Sequence, residues 1–350
     1  MKPRFKLNRI IDLTYYVSLA LAPSQALGLF KFAALLTVNT ASITLAIAGF
    51  VLSQIAVADD VRVPRELAWV KQISDQSQFL NLTQSECINT DTEIDNRAIK
   101  LGRIAFQSPR LLGGQAARMG LSCASCHPAG RRSEDFFIQQ ISSKPGNADV
   151  SHGFLSSKGG NSEFNPVRIP DLADRGAMQI SNRNSKEFRD RLTQLIEVEF
   201  DGRTPAHTVF ESLRYYLANS DTQFCTEPDA RYAVDLDFDW QDLMDAIAAA
   251  LDAIQARDHD TLKFVIGASR SRLEVIYRRY GAEPIATLDA ELIKHSRALE
   301  KILIQETATD QTKQLERWLS SSQKLYKQLK KYQHTSWYNN AVVRSQTSSK

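Results

Sequence analysis

The chain has 350 residues, enough for one large or two modest domains. Hydrophobic residues make up 43% and charged residues 24%, a balance that excludes wholesale disorder. The formal net charge of +3 is carried by the start of the chain, where Lys2, Arg4, Lys6, Arg9 and Lys31 stand against Asp12. The rest is near neutral, so nucleic acid is not expected as a partner.

Residues 1–58 read as a signal peptide or an N-terminal membrane anchor. From Phe32 to Ala58 there is no charged residue, and the run is long enough to cross a bilayer of roughly 30 Å as a helix. It ends Ala56-Val57-Ala58 before Asp59-Asp60, a signal-peptidase pattern. Asn39 and several threonines weaken an anchor, so cleavage after Ala58 is preferred. The alternative is an uncleaved anchor, with membrane contact only through this leader. Either way the remainder is expected outside the cytoplasm, in a bacterial periplasm. Residues 59–94 form a lead-in, with a short helix expected at Arg65–Val70.

Residues 95–227 are expected to form a haem domain. Ala98, Leu101, Ile104 and Ala105 recur at helical spacing. Pro109 ends that helix, because the residue before proline is pushed out of the α region. A turn at Leu111–Gly114 leads to Cys123-Ala124-Ser125-Cys126-His127. Two cysteines two residues apart, followed at once by histidine, are the attachment signature of c-type haem. Each cysteine forms a thioether with one haem vinyl group, and the histidine becomes the proximal axial ligand of the iron. A structural zinc site needs four ligands, and no second CxxC or HxxxH accompanies this motif. A thioredoxin-like redox pair would need a βαβ context. Arg131 and Arg132 follow and offer cations to haem propionates; ordinary solvated arginines are the competing reading.

The ligand opposite His127 decides what a haem does. His152, before Gly153 in a Gly/Ser-rich loop, is the first candidate for distal ligand; Met178 is the alternative, and would raise the potential. Asp201 can order a loop and Arg203 can reach a propionate, although Asp-Gly is also a turn signal by itself. Cys87 and Cys225 are the two remaining cysteines. They pair in an oxidising compartment and stay free in a reducing one.

These segments resemble a family. Leu101-Gly102-Arg103, Phe106 and Ser108-Pro109-Arg110-Leu111, then Ser122-Cys123-Ala124-Ser125-Cys126-His127, resemble the start of the haem domain in bacterial di-haem cytochrome c peroxidases. His152-Gly153, Lys158-Gly159-Gly160-Asn161-Ser162, Asn165-Pro166-Val167 and Phe200-Asp201-Gly202-Arg203 extend the likeness. The resemblance implies a cytochrome c-like domain of the peroxidatic kind and a distal histidine at His152. This chain departs from that family in having one CxxCH, not two, since Cys225 is the only cysteine after His127. The resembled family uses its second haem to deliver electrons internally.

Residues 228–340 are expected to form a helical, bundle-like region. Leu243, Ile247, Leu251 and Ile254 mark one helix, Leu262–Tyr280 a second with Gly281 as its stop. Leu288–Leu303 and Leu315–Leu329 mark a third and fourth, with Lys324, Lys327, Lys330 and Lys331 at the end of the last. Residues 341–350 read as a disordered tail. The expected class is therefore mainly α: a cytochrome c-like haem domain followed by a helical region. The expected function is electron transfer by one covalent haem c, with a redox partner protein such as another cytochrome. The alternative is peroxide reduction with electrons from an external cytochrome.

Overall fold

The computed structural model describes residues 82–89, 91, 95–174, 184–225, 231–281 and 285–342. Of these, 64% are helical and 4% lie in strands, so the mainly α class expected from the periodicity holds. The leader, the helix expected at Arg65–Val70, Met178 and the tail beyond Val342 lie outside the described residues.

The first helix, α1 (Asn96–Gln107), starts where Asp95 accepts hydrogen bonds from Arg97 N and Ala98 N at 2.9 and 3.2 Å. It stops at Ser108, as Pro109 requires, and Pro109 opens the short α2 (Pro109–Leu112). Next come α3 (Gly114–Met119), closed by left-handed Gly120, and α4 (Cys123–Cys126). The described residues from 131 to 174 hold little regular structure; α5 (Lys186–Gln194), a π-helical turn at Leu195–Glu199 and α6 (His207–Ala218) come next among the helices. α6 begins two residues after Pro205, a residue common at helix starts.

α1 and α6 cross closely because Gly102 has no side chain. A Cβ there would lie 2.1 Å from the Ser212 carbonyl oxygen and 2.6 Å from Tyr216 Cβ. Near this crossing the rings of Phe106 and Tyr216 lie 5.4 Å apart, and both residues are at most 2% exposed.

Four longer helices complete the chain: α7 (Leu236–Ala256), α8 (His259–Arg279), α9 (Ala286–Glu300) and α10 (Ala308–Tyr332). Their apolar stripes are the ones the sequence marks, and they share one buried core with α1, α5 and α6. The expected stop at Gly281 differs in detail. α8 ends at Arg279 with Tyr280 as its cap, and Gly281 N closes back on Arg278 O at 3.0 Å without a left-handed turn.

Two small antiparallel sheets were not legible in the sequence. β1 (Leu82–Gln84) pairs with β4 (Arg231–Ala233), and β2 (Asn147–Ala148) with β3 (Val167–Arg168). Cys87 and Cys225 form a disulfide with Cα atoms 4.3 Å apart, tying the segment before α1 to the segment after α6.

A buried ion network joins α1 to α7 and α8. Arg103 pairs with Asp242 at 3.2 Å and Asp245 at 2.7 Å; Arg272 pairs with Asp239 at 3.0 Å and Asp242 at 3.3 Å. The three aspartate side chains are at most 5% exposed. Lys100, Arg279 and Glu86 complete the network. Burial raises the carboxyl pKa of Asp242 and Glu86, against the opposing pull of the arginines.

Candidate functional site

The CxxC turn sits between two apolar clusters. Cys123 touches the large helical core, and both cysteines pack against a smaller cluster that includes Leu112, Ala116, Leu121, Phe136, Leu155 and Phe200. That second cluster is built largely from loops, which explains why periodicity did not reveal it. Ser122 and Ser125 form a reciprocal capping box at the start of α4, with Ser122 N donating to Ser125 Oγ at 3.0 Å. The Ser-x-x-Ser spacing was the available sequence signal for it. The box fixes the turn, and the turn places both thiols and the histidine within one stretch of backbone.

Cys123 and Cys126 are free and half-buried. Burial pushes the Cys123 thiol up to about 12 and raises Cys126 as well, so both remain thiols near neutral pH. His127 Nδ1 lies 3.0 Å from the Pro170 carbonyl oxygen. A carbonyl only accepts, so Nδ1 carries the proton and Nε2 presents its lone pair. Loss of hydration pushes the His127 pKa down to about 4, against smaller opposing effects of Pro170 and of Asp171. The ring is therefore neutral near pH 7 and oriented, the state a metal-ligating histidine needs.

Around this turn the resembled segments come together. Gly113 and Gly114 meet Asp201 and Gly202: a Cβ on Gly202 would lie 2.6 Å from Leu111 O and 2.7 Å from Ile196 O. Asp201, at φ 58°, accepts from Ser157 N at 2.8 Å and from the Ser156 and Ser157 hydroxyls. These bonds hold its carboxyl pKa below the usual range. Gly159 is equally tight, since a Cβ would lie 2.4 Å from Val198 Cγ1. Asp201 thus orders the 156–160 loop against the turn after α5.

His152 lies in the same loop region, and its neighbours Phe154 and Leu155 belong to the cluster that holds the cysteines. Its Nδ1 faces the backbone N–H of Phe154 at 3.2 Å, and its ring meets Phe164 edge-on at 6.3 Å. With Nδ1 accepting, the neutral ring carries its proton on Nε2. Ligation through Nε2 requires release of the Phe154 contact and transfer of that proton to Nδ1. Arg203 is exposed and makes no hydrogen bond or ion pair among the described residues. Arg131 and Arg132 are engaged with Asp171 and Glu134 respectively.

Among the described residues no group of three or more His, Cys, Asp or Glu side chains is arranged to hold a metal ion. Cys123, Cys126 and His127 therefore do not form a chelate with other described side chains of those types. A groove of 470 Å³ between α9 and α10, lined in part by Lys294, His295, Arg317 and Lys324, involves none of Cys123, Cys126 and His127. No described helix is long and apolar enough to cross a membrane. No protein-family model, curated protein or solved structure matches this chain.

Proposed function

We propose that the chain is an exported, mono-haem c-type cytochrome that transfers electrons to or from a partner protein such as another cytochrome. The observation that carries this reading is the His127 Nδ1 to Pro170 O contact at 3.0 Å directly after a turn with two free thiols. A c-type haem fits these residues: its vinyl groups need two thiols, and its iron needs one histidine with a free Nε2 lone pair. Neither requirement calls for a multi-residue chelate. When bound, the haem supplies a one-electron iron couple. Cys123 and Cys126 would hold it covalently, His127 would hold the iron, and the apolar cluster around the cysteines would exclude water from the porphyrin face. Arg203 remains an available partner for a propionate. The Cys87–Cys225 disulfide supports a periplasmic location, because such bonds persist in oxidising compartments.

One observation favours a second reading, peroxide reduction with electrons from an external cytochrome. His152 spends its Nδ1 lone pair on the Phe154 N–H at 3.2 Å and so offers an N–H, not a lone pair, at Nε2; a sixth position left open by this histidine is what peroxide binding needs. A single preparation separates the two readings. Mature protein from a host competent in haem attachment should keep haem after acid-acetone extraction and show the pyridine haemochrome of a bis-thioether haem. A colourless protein sinks both readings. A low-spin ferric spectrum unaffected by cyanide supports electron transfer, and conversion to high spin in His152→Ala identifies His152 as ligand. A high-spin ferric spectrum with rapid peroxide turnover supports the enzyme.

A further inference from the structure

Behind His127 lies an arrangement that the haem motif itself does not require. Pro170 accepts from His127, and the next residue, Asp171, pairs through Oδ2 with Arg131 Nε at 2.7 Å. These two side chains are 12% and 16% exposed, so the pair is shielded from solvent. Asp171 Oδ1 also accepts from Ala173 N at 2.9 Å, which fixes the carboxylate and the turn that follows Pro170. Leu172 N donates to Gly130 O at 3.1 Å, so the strands of chain on either side of the His127–Pro170 contact are joined by backbone and by charge. The guanidinium is anchored in turn: Arg131 Nη1 lies 3.3 Å from Cys87 Sγ and 3.4 Å from Cys225 Sγ. Beyond it, Thr222 N donates to Ala173 O at 3.1 Å. The disulfide, the ion pair and the carbonyl form one chain of contacts ending at the histidine ring.

We propose that Arg131 and Asp171 are positioning residues for His127: they hold the Pro170 carbonyl against Nδ1 and so set how strongly Nε2 donates to bound iron. This rests on the haem reading above. The physical basis is general. A ligating histidine whose second nitrogen donates to a fixed acceptor is a more basic ligand. A more basic axial ligand favours ferric over ferrous iron and lowers the potential. A loosened carbonyl weakens that bond and raises it. The geometry of the pair matters more than its net charge, because the two charges cancel.

The test exploits that cancellation. Asp171→Asn and Arg131→Gln are made in the full haem-loaded protein, and the midpoint potential is measured by spectroelectrochemical titration. Pyridine haemochrome content is measured beside it. Positioning predicts that both variants raise the potential, each by about a tenfold change in the ferrous-to-ferric preference, or about 59 mV for a one-electron couple. Through-space charge alone predicts opposite signs, up for Asp171→Asn and down for Arg131→Gln; that result overturns the proposal. An unchanged potential in both variants with full haem content overturns it as well. Asp171→Glu and Arg131→Lys keep the charges while moving the groups, and should shift the potential upward by a smaller factor. If the neutral variants do not accumulate, this charge-keeping pair decides, and no shift in it refutes positioning. Wild-type protein that never acquires covalent haem refutes the haem reading instead, before any variant is compared.

Discussion

Gly102→Ala tests the crossing of α1 and α6 that carries the CxxC turn. The added methyl would lie 2.1 Å from Ser212 O and 2.6 Å from Tyr216 Cβ. The first of these is backbone and the second is the root of a side chain, so neither can swing away. Ordinary contact begins near 3.4 Å, and the helices must therefore separate by about 1 Å. That separation loosens the Phe106–Tyr216 contact and the bond from Tyr216 Oη to Glu86. Overpacking of this kind costs about 3 kcal/mol, offset by about 1 kcal/mol from replacing glycine inside a helix. The expected net loss is about 2 kcal/mol. Urea denaturation followed by circular dichroism should show a lower midpoint at unchanged slope. Gly267→Ala is the contrast. Its methyl would meet Nε, Cζ and Cδ of Arg110, the movable part of a long side chain. It should be neutral or stabilise by up to about 1 kcal/mol. Equal stability of Gly102→Ala and the wild type, or a loss in Gly267→Ala as large as that in Gly102→Ala, would refute the packing argument.

Three further outcomes follow from the described contacts. Arg103→Ala leaves Asp242 and Asp245 buried with an incomplete set of cations, and should cost about 3–5 kcal/mol in the same urea assay. In haem-free protein, His127 has its pKa lowered to about 4, so the unfolded chain binds more protons than the folded one between about pH 6.5 and 4. Stability is then full above pH 6.5 and falls as the pH drops toward 4, by at most about 3 kcal/mol, less for the ring's remaining contact with solvent. His127→Gln should flatten that slope; an equal slope in both proteins removes the assignment. Replacing both Cys87 and Cys225 by alanine opens a link across 138 positions and should cost about 2–5 kcal/mol, with loss of the mobility difference between reducing and non-reducing gels.

The residues alone were enough for the local elements. Asp95 and Pro109 bound α1, and the apolar spacing of Leu243 to Leu329 marks the four long helices, because capping chemistry and a period of 3.6 act over a few neighbouring positions. The CxxCH turn is likewise local, and Cys123, Cys126 and His127 need no distant partner to be recognised as a candidate site. What lay beyond sequence reading is every contact across long separations. Pro170 reaches His127 over 43 positions and Arg131 reaches Asp171 over 40; Cys87 and Cys225 could be named as a pair, but that their Cα atoms come within 4.3 Å across 138 positions was decided by the fold. The buried network of Arg103 and Arg272 with three aspartates had no signal in the sequence, since a helix face becomes interior only when another helix covers it. His152 shows the same division. Its type and its loop made it a candidate ligand, but which nitrogen holds its proton was decided by a backbone N–H supplied by the folded loop. Local pattern determined the helices and the CxxCH motif; the tautomers of His127 and His152 and the bracing behind His127 depend on partners that only chain folding brings within hydrogen-bond distance.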